Sequence, residues 1–119
     1  MNDVMKEAYW CIGNLIEKIG TEKRIELIKK HKLIKLVTHM LQESTSQVKV
    51  IKILLICINK LLKTSIYFVD NCPDEPRYAF QCEGGVDIIE DLQKTPNTEI
   101  FSLTQKLLKE HYPNSEEGN

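Results

Sequence analysis

The chain has 119 residues, 42% of them hydrophobic and 28% charged, with a formal net charge of −1. That is the length of one domain and a composition able to build a core, which argues against disorder and against two full domains. The strongest apolar run, Ile51–Leu62, holds two lysines and is too short to span a bilayer, so a buried helix is expected there and no membrane span.

Met1–Lys6 has no basic-then-apolar signal pattern and the chain has no Asn-x-Ser/Thr site, so a cytosolic or nuclear location is the expectation. Cys11, Cys57, Cys72 and Cys82 form no C-x-x-C pair and have no histidine at zinc spacing. They read as reduced structural thiols, two of them inside apolar helical runs, and a Cys72–Cys82 bridge is not required.

In chain order, Val4, Ala8, Cys11, Ile12, Leu15, Ile16 and Ile19 recur at steps of three and four and predict an amphipathic helix from Asp3 to Ile19. Its core stripe is read as Ala8, Cys11, Leu15 and Ile19. Gly20 is expected to stop it and Thr21 to cap the next segment. "TEKRIELIKKHK" predicts a short helix and "KLIKLVTHMLQES" a second one. After the polar "ESTSQ" break, Gln47–Lys63 is a third, much more apolar helix.

The order then recurs. A longer connection, "TSIYFVDNCPDEP", leads to a short helix closed by Gly84-Gly85. "GVDIIEDLQ" sets Val86, Ile88, Ile89 and Leu92 at the spacing of Ile34, Leu36, Val37 and Met40, and "NTEIFSLTQKLLKEHY" supplies the next long helix. The unit is short, medium and long helix at a period of about 45 residues, the pattern of armadillo and HEAT solenoids. The expected fold is therefore all-α, a right-handed armadillo-type solenoid of about two and a half repeats. Residues 1–19 end one repeat, 21–63 form the second, 64–112 the terminal repeat, and 113–119 an acidic flexible tail.

"KEAYWCIGN" (Lys6–Asn14) resembles the K-E-A-x-W-x-x-x-N motif on the third helix of armadillo repeats in the importin-alpha family. Gly84, Gly85, Asp87, Ile89, Glu90, Leu92 and Gln93 resemble the more specific GG-x-D-x-I-E-x-L-Q pattern of that family's last repeat. The likeness covers nearly the whole chain in order, at about the eighth to tenth repeats. It implies an adaptor of nuclear protein import found in cytoplasm and nucleus, with a minor-site groove for basic localisation-signal peptides. The same resemblance implies a C-terminal surface for an export carrier or a nucleoporin.

The motif's chemistry is legible without the family. On a helix, Glu7, Trp10 and Asn14 share one face. An indole offers a π surface to a lysine ammonium, an asparagine amide can fix an extended backbone, and a glutamate favours a basic residue. Spacing alone also admits the plainer reading, a ring packed between helices with Asn14 at the rim. In the next unit Asn59 holds the asparagine position, but four residues before it stands Leu55, so the ladder has one complete rung. The apolar stripe on the first helix can be met by the preceding repeats of a longer adaptor, which is the favoured expectation, by a partner, or by a second copy in a short protein that forms a homodimer through that helix.

Charge is segregated: residues 21–64 carry ten Lys/Arg against three Glu, and residues 65–119 four Lys/Arg against eleven Asp/Glu. The basic segment (Lys23, Arg24, Lys29, Lys30, Lys32, Lys35) lacks interleaved aromatics and the acidic half would repel a polyanion, which argues against nucleic acid. The three histidines lie on separate helices or turns without a nucleophile motif, so no catalytic, metal or cofactor site is expected.

Overall fold

The computed structural model describes residues 1–70 and 72–113, and among them the protein is all-helical. Seven α-helices follow in order: α1 Asp3–Lys18, α2 Thr21–His31, α3 Leu33–Glu43, α4 Val48–Lys63, α5 Pro76–Cys82, α6 Gly85–Leu92 and α7 Thr98–His111. A 3-10 turn, Thr64–Tyr67, extends α4 into the long connection, an element the sequence reading missed. The expected acidic tail lies outside the described residues, save Pro113.

The three long helices form a row, with α1 packed on α4 and α4 on α7. They run parallel, because contacts advance together along each pair. Trp10, Gly13 and Glu17 meet Lys49, Ile53 and Lys60 in turn. Across the next boundary Lys52 reaches Glu99 and Lys63 reaches Glu110. Helices α3 and α6 back the row against α4 and α7 respectively, and the body measures 37 × 36 × 20 Å, thin in one direction. No described helix is long and apolar enough to cross a membrane.

Local chemistry sets the boundaries. Asn2 caps α1 by accepting from Met5 N, Glu75 caps α5 at Arg77 N and Tyr78 N, and Asn97 caps α7 at Ile100 N. Pro76 opens α5, where its missing N–H costs nothing. The expected Thr21 cap is corrected: Thr21 is already helical and Gly20 stands at the cap without a side-chain bond. Gly20 keeps negative φ, and the left-handed residue of this half is Lys32, at φ 50 between α2 and α3.

Gly84 takes φ 84, a conformation open to glycine, and so turns α5 into α6. Gly85 then lies against the buried Phe80 ring, where a Cβ would meet Cε1 at 2.3 Å.

The core is centred on α4, whose Val50, Ile51, Leu54, Leu55, Ile58, Leu61 and Leu62 are buried. The apolar positions that recur in the sequence are matched in burial. Ile34, Val37 and Met40 on α3 are buried, and so are Val86, Ile89 and Leu92 on α6, while Leu36 and Ile88 are the more open positions of each set.

The predicted core stripe of α1 needs correction. Ala8, Cys11 and Leu15 are exposed and Ile19 only half-buried, while Gly13 and Ile16 are buried, with Tyr9 and Ile12 packed beside them. Both stripes have helical period. The one that wins offers Gly13, which lets α4 come close enough for Ile53 to fill the space a side chain would take. The Cys57 thiol donates to Gly13 O at 2.7 Å, and burial pushes its pKa up to about 12. All four cysteines are free, Cys11 and Cys82 exposed.

Candidate functional site

Residues Glu7, Trp10 and Asn14 do share one face of α1, at the edge of the side that packs on α4. Glu7 is exposed, and Trp10 and Asn14 are half-buried. The helix itself holds the asparagine: Nδ2 donates to Trp10 O at 3.0 Å, which leaves Oδ1 and one N–H for a further partner. Trp10 is neither a core ring nor a free one. The Lys49 ammonium, from the first turn of α4, sits 4.2 Å from the ring centroid. That is a cation–π contact of the kind the spacing predicts for a ligand, supplied by the chain's own lysine.

Beside it, the Tyr9 hydroxyl donates to the Glu43 carboxylate, and this bond raises the Tyr9 pKa. His39 Nε2 lies 3.1 Å from the same carboxylate. Glu43 thereby ties α1 to the end of α3, just ahead of the turn that delivers Lys49. Farther along α1, Lys60 Nζ lies 2.7 Å from the Glu17 carboxylate and holds its pKa below the usual range.

The second rung position is closed. Leu55 is fully buried, and Asn59 Oδ1 accepts from His111 Nε2 at 2.7 Å. Arg77 Nε donates to His111 Nδ1 at 3.1 Å, which fixes the tautomer with its proton on Nε2. The Tyr112 hydroxyl closes the cluster on Arg77 O at 2.7 Å. Burial, with Arg77 beside it, lowers the His111 pKa from 6.5 to about 4, so the ring is neutral near pH 7. Nothing in the spacing of three scattered histidines marks this one as buried; the one local hint is the apolar Leu107–Leu108 pair, four and three residues before it and so on the same side of α7.

The basic segment is less uniform than the sequence suggests. Arg24 is buried, with Nε on Ile16 O at 2.9 Å and Nη2 on Glu17 O at 2.6 Å, and so ties the last turn of α1 to α2. Lys23 and Lys30 pair with Glu26, and Lys29 lies 5.1 Å over Phe68. Lys32 and Lys35 line a cavity of about 210 Å³ together with the acidic Asp74 and Glu83. No group of His, Cys, Asp or Glu among the described residues is placed to hold a metal ion.

The fold and this face define an all-helical protein whose first helix displays an indole to a cation. Comparison with family models, with curated proteins and with solved structures finds no match.

Proposed function

We propose that the chain is a non-enzymatic binding module, a right-handed armadillo-type solenoid of about two and a half repeats resembling the C-terminal end of importin-alpha. Its ligand is an extended Lys/Arg-rich peptide of the localisation-signal type, bound along the Glu7–Trp10–Asn14 face. The observation that carries this reading is the ammonium 4.2 Å over the Trp10 ring. The parallel row of α1, α4 and α7, with matching burial on α3 and α6, supports the repeat assignment. On this reading the module works in cytoplasm and nucleus, in the adaptor step of nuclear import. The surface beyond α1 meets an export carrier or a nucleoporin.

One rung contributes on the order of 1 kcal/mol from its cation–π contact, so the isolated module binds such a peptide weakly, with Kd in the high micromolar range or above. The incoming lysine also has to displace Lys49. The test is a titration with a bipartite Lys/Arg-rich peptide, followed by Trp10 fluorescence. Trp10→Ala should abolish saturable binding, read by amide shifts in that variant. Lys49→Ala should tighten binding about two- to fivefold by freeing the ring face. Binding that survives Trp10→Ala unchanged would sink the assignment.

A further inference from the structure

In the cavity of about 210 Å³ beside α3, the basic and acidic parts of the chain meet without pairing. Lys32 and Lys35 enter it from the start of α3, and Asp74 and Glu83 from the residues that flank α5. Among the described residues none of these four side chains forms an ion pair. Elsewhere the charges are used up: Lys23 and Lys30 on Glu26, Lys52 on Glu99, Lys60 on Glu17. The apolar lining includes Ile28 and Ile34, 2% and 4% exposed. Lys32 is held beside them in the left-handed region, at φ 50, an uncommon conformation for a residue with a Cβ. Asp74 arrives on the longer connection, the kind of segment that carries binding residues on a helical scaffold. The lining elements all lie well inside the chain, so the cavity follows from how α2 and α3 meet the connection and α5.

We propose that this cavity binds a small zwitterion, an aliphatic α-amino acid. Its carboxylate lies on Lys32 and Lys35, its ammonium on Asp74 and Glu83, and its side chain against Ile28 and Ile34. Charge selects this class. Two cations and two carboxylates carry no net charge, so a simple anion or a simple cation is repelled by half of the charged lining. A ligand with both charges satisfies both pairs, which do not satisfy each other. Size points the same way. At roughly 30 Å³ per molecule the space holds about seven waters. It falls below the roughly 300–1,000 Å³ of sites for drug-sized ligands, which suits one amino acid and not a peptide. Exposed charges contribute little each, so binding is weak, with Kd of about 1–5 mM. The lining shares no residue with the Trp10 face, and this site does not depend on peptide binding there.

L-Leucine added to the 119-residue chain at constant ionic strength, up to about 30 mM, should shift the amide signals of Lys35, Ala79 and Glu83 saturably. 4-Methylpentanoate lacks the ammonium and 3-methylbutylamine lacks the carboxylate, and each should bind about fivefold more weakly or worse. Lys35→Ala and Glu83→Gln, both at exposed positions, should each weaken leucine about threefold or more and leave the helical circular dichroism unchanged. A further readout needs no variant. Cys82 lines the cavity and is exposed, so leucine should slow its alkylation by iodoacetamide, while the exposed Cys11 on α1 reacts at an unchanged rate. Shifts that do not saturate by about 30 mM overturn the proposal. So does equal binding of the three probes, which marks an apolar cleft alone, and so does leucine binding indifferent to both Lys35→Ala and Glu83→Gln.

Discussion

Gly85→Ala is expected to lower the stability of the fold by about 2–3 kcal/mol, the cost of inserting a methyl group into a packed core. The new Cβ would stand 2.3–2.5 Å from three atoms of the Phe80 ring, and Phe80 is 0% exposed. The ring cannot swing clear, because Tyr112 lies against it at a centroid distance of 6.4 Å. Either α5 and α6 separate or Phe80 leaves its rotamer, and both strip contacts from α3 and α7. Against the 5–15 kcal/mol that a domain has in total, this is a large fraction. Urea denaturation should show a lower midpoint with an unchanged slope. Gly20→Ala is the control, since a Cβ there meets nothing within 4 Å, and it should stay within about 1 kcal/mol of the parent. Equal effects at the two glycines would rule out the steric account. Gly84→Ala tests the adjacent constraint by itself: the left-handed backbone should cost it about 1–2 kcal/mol.

The second expectation concerns acid. His111 is neutral and buried in the fold, with both ring nitrogens engaged by Arg77 and Asn59. Its pKa falls from 6.5 to about 4 on folding, so between those values the unfolded chain holds the proton more tightly than the folded one. Stability therefore falls as pH drops through 6.5, and this contribution is exhausted below about pH 4. At 1.36 kcal/mol per pH unit the loss across the window is on the order of 3 kcal/mol. Glu17 and Glu26, held below the usual carboxylate range by Lys60 and Lys23, add their losses only at more acidic pH. Denaturation midpoints taken every half unit from pH 7.5 to 4.5 should fall steadily. In His111→Gln the protein should start less stable and lose most of that slope. A slope that persists in the variant would assign the acid sensitivity to other groups.

The order of helices was legible because each apolar segment keeps one period between polar breaks, and the recurrence of Ile34, Val37 and Met40 in Val86, Ile89 and Leu92 carried into burial. On α1 the sequence presented two stripes of equal period. Counting apolar residues chose Ala8, Cys11 and Leu15, whereas close packing chose the side with Gly13, a residue that hydrophobicity alone never marks as core. At the candidate site, the shared face of Glu7, Trp10 and Asn14 followed from helical spacing. The cation over the ring did not, because Lys49 arrives from a different helix. Histidine burial was hidden for the same reason: the partners of His111, Asn59 and Arg77, come from α4 and α5.

The anchoring of α1 is lopsided. Its final turns are pinned by Arg24 on the Ile16 and Glu17 carbonyls, by Lys60 on Glu17 and by Cys57 on Gly13, whereas the half before Tyr9 carries no such tie to the body among the described residues. The arm without such a tie, Asp3–Ala8, is about 9 Å long at 1.5 Å per residue and carries Glu7, whereas Trp10 lies within the anchored part, next to the Tyr9–Glu43 bond. Fraying of the first turns would thus move Glu7 and leave the aromatic clamp in place.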